Sequence, residues 1–203
     1  MTAATGGRDR RLRLDDIEDL RAYERGRETF RRQIIDLKRR RRVALGPIVS
    51  IVFENRETIR SQVQEMARAE RMVSDAEIQQ ELDVYNPLIP EPGELSATMF
   101  IELSGEDALR QWLPRLVGIE RSVRLEVADA GTVPGFPEEN HEEALTRGDI
   151  TAAVHYVRFA LDAPQVERFG PGPVELIVAH PAYRHRSALS DEVRQELLTD
   201  LRS

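Results

Sequence analysis

Apolar residues recur at helical spacing through Ile17, Leu20, Tyr23, Phe30, Ile34 and Leu37, and Asp15 with Glu18 has the spacing of a capping box. The pattern predicts a long amphipathic helix after an N-terminal tail of residues 1–13. It ends in the run Lys38 to Arg42, where positive charge complements the carboxyl end of the helix dipole. Val43, Leu45, Val49, Ile51 and Phe53 then share one face at period two. They predict a first strand over 43–53, bulged or at a sheet edge at Pro47. Asn55 or Glu54 can cap a second helix with the stripe Ile59, Val63, Met66 and Val73. Ser74 and Glu77 open a third, carrying Ile78, Leu82 and Tyr85 and stopping at Asn86-Pro87, because proline disfavours a helical residue before it.

Alternation over 95–103 predicts a half-buried second strand. Ser104 and Asp107 start a fourth helix with Leu109, Trp112, Leu113 and Leu116, interrupted by Pro114. Val123, Leu125 and Val127 read as a third strand. Residues 129–149, rich in Gly, Pro and acid, read as a mobile loop with a short helix around Glu142 to Leu145. A fourth strand over 151–161, a fifth over 174–180 and a helix capped by Ser190, bearing Val193, Leu197 and Leu201, complete the chain. The expected architecture is a single α+β domain over 14–203. It is a largely antiparallel sheet of about five strands with helices packed mainly on one face, preceded by the long N-terminal helix.

Composition narrows the chemistry. The chain of 203 residues has no cysteine, which removes disulfides, thiolate zinc sites and cysteine-held iron-sulfur clusters. Its net charge of -7 opposes the long-range field of a non-specific nucleic-acid binder. The first residues lack the apolar core of a signal peptide and no later stretch has the length of a membrane helix, so the expected location is cytoplasmic, away from membranes.

Candidate functional residues are charges that interrupt apolar stripes. Arg27 falls between Tyr23 and Phe30, and Glu70 between Met66 and Val73, which suggests that they meet each other or a ligand in a shared cleft; the alternative is that each snorkels to the helix edge. Glu54, Asn55 and Arg56 stand at a strand-to-helix junction, where free amides and a guanidinium can hold an anion, although Asn capping explains the same letters. Glu54, Glu57, Glu65 and Glu70 crowd one helix, yet no Glu-x-x-His pair accompanies them; intrahelical partners such as Glu57 with Arg60 and Glu65 with Arg68 account for them, and no metal site is identified. His155 shares a strand face with Val157, Phe159 and Leu161 and reads by default as a core histidine, with an acid-base role as the functional alternative. Arg158 on the opposite face is a possible anion clamp. No Gly-rich phosphate loop, nucleophile elbow or His-Glu-x-x-His helix occurs.

Several ordered strings resemble an uncharacterised bacterial family, the domain of unknown function numbered three-five-zero-one. They are Tyr23-Glu24 with Arg27 and Phe30-Arg31, Phe53-Glu54-Asn55-Arg56 leading to Gln62-Val63-Gln64-Glu65-Met66 and Glu70, and Tyr85-Asn86-Pro87-Leu88-Ile89-Pro90. Glu94-Leu95-Ser96-Ala97-Thr98 and Ala153 to Phe159 continue the match, with Val63 and Val157 in place of larger aliphatic residues. The resemblance carries no reaction and no cofactor. It implies a setting beside rubrerythrin-like and iron-sulfur redox proteins, hence an accessory factor with a redox partner protein. The leading expectation is a ligand-binding or accessory protein whose cleft takes an anionic small molecule. The alternative is an enzyme using Glu65 or Glu70 as base, His155 as acid and arginines to stabilise an anion. A third reading, a structural subunit that buries its apolar stripes on a partner chain, leaves a homo-oligomer open.

Overall fold

Eight strands rather than five form one wholly antiparallel sheet in the computed structural model, which describes residues 10–138 and 150–202. The strands are β1 (Arg42–Leu45), β2 (Val49–Glu54), β3 (Glu94–Ile101), β4 (Val123–Val127), β5 (Gly131–Pro137), β6 (Val154–Ala160), β7 (Val174–His180) and β8 (Tyr183–Ala188). Their order across the sheet is β1-β2-β3-β6-β5-β4-β7-β8.

Three features account for the difference from the expected five. Gly46, at φ +74°, turns the expected first strand into a hairpin of β1 and β2. A Cβ there would also stand only 2.5 Å from the His185 ring. Strand β5 lies in the stretch expected to be a loop. Its Gly135 lets the chain run close to its neighbours, because a Cβ would come within 2.8 Å of Val157 and 2.9 Å of the Val123 carbonyl. Strand β8 is an edge whose Arg184, His185 and Arg186 are exposed, so it carries no apolar alternation to read. The short helix expected around Glu142 to Leu145 lies outside the described residues.

The two edges of the sheet curl toward each other into a nearly closed barrel. Tyr183 of β8 spans the seam, its hydroxyl donating to the Leu45 carbonyl at 2.6 Å and accepting from the Ile48 amide at 3.2 Å. Inside lie Ile51, Phe53, Ala97, Met99, Leu125, Val157, Phe159 and Leu176, all at or near zero exposure.

Helices flank both faces, contrary to the one-face expectation. Among the described residues they are α1 (Leu20–Arg40), α2 (Arg56–Ala69), α3 (Asp75–Tyr85), α4 (Glu106–Trp112), α5 (Ala163–Phe169) and α6 (Asp191–Arg202). Phe169 of α5 and Val193, Leu197, Leu198 and Leu201 of α6 join the barrel core. By contrast, Ile59 and Val63 of α2 and Leu82 of α3 build a second core with Leu12, Ile17, Leu88 and Ile89, against which Tyr156 of β6 packs from the sheet's outer side. Helix α1 begins later than the Asp15–Glu18 spacing suggests. Asp19 caps it by accepting from the amides of Arg21 and Ala22, and residues Leu14–Asp16 form a separate 3-10 turn.

Arg41 locks these layers together. It is fully buried, donating to the carbonyls of Phe53 at 2.8 Å and Glu54 at 3.2 Å, and pairing with Glu196 at 3.1 Å and with Asp200. The basic run complements the helix dipole as its position suggests, but at Arg41 it also faces the core. Helix α6 supplies the two carboxylates that make the burial of a guanidinium tolerable. No helix among the described residues is long and apolar enough to cross a membrane.

Candidate functional site

Strand alternation puts Glu54 of β2, Ser96 and Thr98 of β3 and Tyr156 and Arg158 of β6 on the outer face of the sheet. The registers Glu54↔Ser96, Ser96↔Arg158 and Thr98↔Tyr156 make them neighbours. That face is polar, yet it is covered by helices, so Glu54, Ser96 and Thr98 are each no more than 5% exposed. Between the helices and the sheet lies a cavity of about 300 Å³, a small-ligand size at the lower end of the usual range. Its polar lining is Lys38, Glu54, Gln62, Tyr85, Thr98 and Tyr156. Ile59, Leu88, Phe100 and Val154 complete the wall.

Glu54 is fixed from two sides. Thr98 Oγ1 donates to its Oε1 at 2.6 Å, and Arg41 holds its main-chain carbonyl. Its other oxygen, Oε2, is buried and receives no hydrogen bond from the described residues. Burial, with help from the nearby Tyr85 and Glu54, pushes the Tyr156 phenol up to about 12. At neutral pH Tyr156 therefore keeps its proton and is a hydrogen-bond donor.

Of the residues singled out from the sequence, Glu54 alone lines this cavity. Arg27 meets Glu65 instead of Glu70, through two parallel bonds of 2.8 and 2.9 Å, while Tyr23 donates to the same carboxylate at 2.6 Å. Glu70 is the exposed residue closing α2. Asn55 caps α2, its side chain accepting from the Thr58 amide at 3.0 Å. Arg56 is taken up by Asp16 at 2.7 Å and by the Arg10 carbonyl at 3.1 Å, so this junction ties down the N-terminal segment. Arg158 grips Glu94 at 2.5 Å and the Pro87 carbonyl, bracing the turn after α3, with Glu138 at 3.4 Å.

His155 lies inside the barrel, its Nε2 at 2.9 Å from both Thr151 Oγ1 and the Ala152 carbonyl. Its Nδ1 is 3.9 Å from the buried Glu120. Glu57 pairs with Arg60 as its spacing suggested, whereas Arg68 reaches Glu24 on α1 rather than Glu65. Among the described residues no three His, Asp or Glu side chains come together as a metal-binding group.

Sequence reasoning missed Lys38, Gln62, Tyr85, Thr98 and Tyr156 as site residues. A signal was available. Glu54, Thr98 and Tyr156 occupy like-facing positions of strands whose opposite faces are apolar, and so share one polar face that the helices cover.

A solved structure described as a novel protein of unknown function from Burkholderia pseudomallei is similar. It shares 34% identity and a TM-score of 0.87, over 94% of this chain and 98% of that one. No curated protein matches the chain. The family described as "Protein of unknown function (DUF3501)" matches residues 11–201, a span that takes in the barrel, its helical cover and every residue lining the cavity, and the chain belongs to that family.

Proposed function

We propose that this is a ligand-binding protein and that its ligand sits in the cavity between the helical cover and the outer face of β2, β3 and β6. One observation carries the reading. Glu54, a residue of the cavity lining, has a buried carboxylate oxygen with no hydrogen-bond donor among the described residues, while its other oxygen is held by Thr98. Burying an acceptor of this kind uncompensated costs about 1–3 kcal/mol, and more when it is charged, so the arrangement favours a molecule that brings its own donor. The ligand end that meets Glu54 is thus cationic or rich in N–H groups, not the anion expected beside Arg27 and Arg56, both of which have carboxylate partners. An accessory role beside redox proteins comes from the family resemblance; the cavity supports the binding half of that reading.

Native mass spectrometry of the protein purified gently from its own cells tests this. The wild type is expected to carry a small molecule, and Glu54→Gln to weaken its retention roughly 10- to 100-fold, the worth of a charge-assisted hydrogen bond. Bare chain in both preparations would sink the proposal.

A further inference from the structure

We infer that the ligand of this cavity is amphoteric, with a cationic donor group at Glu54 and an anionic group at Lys38, joined by an apolar or aromatic body; the inference rests on the ligand-binding reading above. Lys38 is the only lysine among 29 basic residues, in a chain that otherwise uses arginine throughout. Its neighbours in the basic run are all occupied: Arg39 by Asp36, Arg40 by Glu196, Arg41 by Glu196 and Asp200, and Arg42 by Glu102. Lys38 has no ion pair or hydrogen bond with any side chain among the described residues, and it lines the cavity that Glu54 lines.

The two opposite charges do not satisfy each other, since no ion pair joins them, although attraction in a sheltered site favours closure. Both residues line the same space. Lys38 stands in the last turn of α1, where the helix dipole favours a cation without any further partner. A lysine ammonium is a compact charge on a flexible stem, so it can follow an anionic group at the mouth of a cavity, where a rigid guanidinium fork would demand one geometry. Glu54 lies deeper and is rigid, held at its side chain by Thr98 and at its main chain by Arg41. Most of the remaining wall is apolar or aromatic, from Ile59, Leu88, Phe100 and the rings of Tyr85 and Tyr156. A small molecule with an ammonium or amidinium at one end, a carboxylate or phosphate at the other, and a hydrocarbon or ring between them matches all three features. A simple amine would leave Lys38 unused, and a simple acid would meet Glu54 unfavourably.

Calorimetric titration with three matched sets of probes decides the matter: linear ω-amino acids from aminobutyrate to aminooctanoate, the corresponding alkylamines, and the corresponding alkyl carboxylates. The best ω-amino acid is expected to bind wild-type protein at least about tenfold tighter than its amine or acid analogue. Lys38→Met should bring that amino acid down to the level of the amine, and Glu54→Gln to the level of the acid. If amine and amino acid bind alike and Lys38→Met changes neither, the amphoteric assignment is overturned while the ligand-binding reading stands. If no probe binds the wild type, the assignment falls as well, and the fate of the ligand-binding reading is decided separately by the co-purified molecule.

Discussion

Glu65 accepts three hydrogen bonds, two from Arg27 and one from Tyr23, across the contact between α1 and α2. The Arg27 bonds are the main reason its carboxyl falls from an ordinary 4.5 to about 2; partial burial opposes them and the Tyr23 bond adds to them. A carboxyl whose folded-state pKa is depressed contributes stability above its unfolded value and loses it as pH falls through the folded one. The wild type should therefore lose stability as pH drops from about 4.5 toward 2, and Glu65→Gln should show a shallower fall over the same interval. Urea unfolding at stepped pH checks this, and parallel curves would refute it. The pair is a third exposed at Glu65, so solvent screening keeps the effect modest. Part of this was legible: that Arg27 meets a carboxylate or a ligand, unless it snorkels to the helix edge, followed from its place in an apolar stripe. Which carboxylate did not, because Glu65 and Glu70 stand on the same helix and only the crossing of α1 over α2, and the end of α2 at Ala69, put one in reach.

Among the elements, α6 depends on a residue far from it in sequence. Arg41 leaves α1, enters the core and binds Glu196 and Asp200 of α6 and the end of β2. Burial keeps the Asp200 carboxyl above its usual value even with the Arg41 charge opposing. Removing one partner of a buried pair strands the others, so Arg41→Met should cost about 3–5 kcal/mol, and less in a Glu196→Gln, Asp200→Asn background. Equal costs in both backgrounds, measured by denaturant midpoints, would show that Arg41 acts through packing alone. The helices α2, α3 and α6 were legible from caps and stripes. Helix α5 was missed although Asp162, Pro164 and Gln165 form a capped first turn, because its single fully buried residue, Phe169, gives no period. Strands β5 and β8 escaped for related reasons: one is built of glycine and proline, the other of arginine and histidine, and both owe their extended form to neighbours rather than to their own alternation.

For the molecule as a whole, the decisive contact is the seam where β8 approaches β1. Tyr183→Phe removes the donor to the buried Leu45 carbonyl and the acceptor for the half-buried Ile48 amide, and should cost about 1–3 kcal/mol. Faster amide exchange in β1 and β8 than in β3 and β6 would accompany the loss; unchanged exchange at the seam would mean that packing of Trp112 and His185 on the Tyr183 ring holds it shut. The closed form of the sheet was not legible, since nothing in a linear pattern marks two edges as mutual neighbours when 138 residues separate Tyr183 from Leu45. That separation also bears on how the chain reaches its native state. The pairs β1–β2, β4–β5 and β7–β8 are local hairpins, while β3 must find β6 across the intervening β4 and β5, and the seam needs the longest loop closure of any contact between strands. Contacts made after the rate-limiting ascent stabilise against escape without hastening arrival, so weakening the seam should shorten the lifetime of the folded protein while leaving its speed of refolding nearly unchanged.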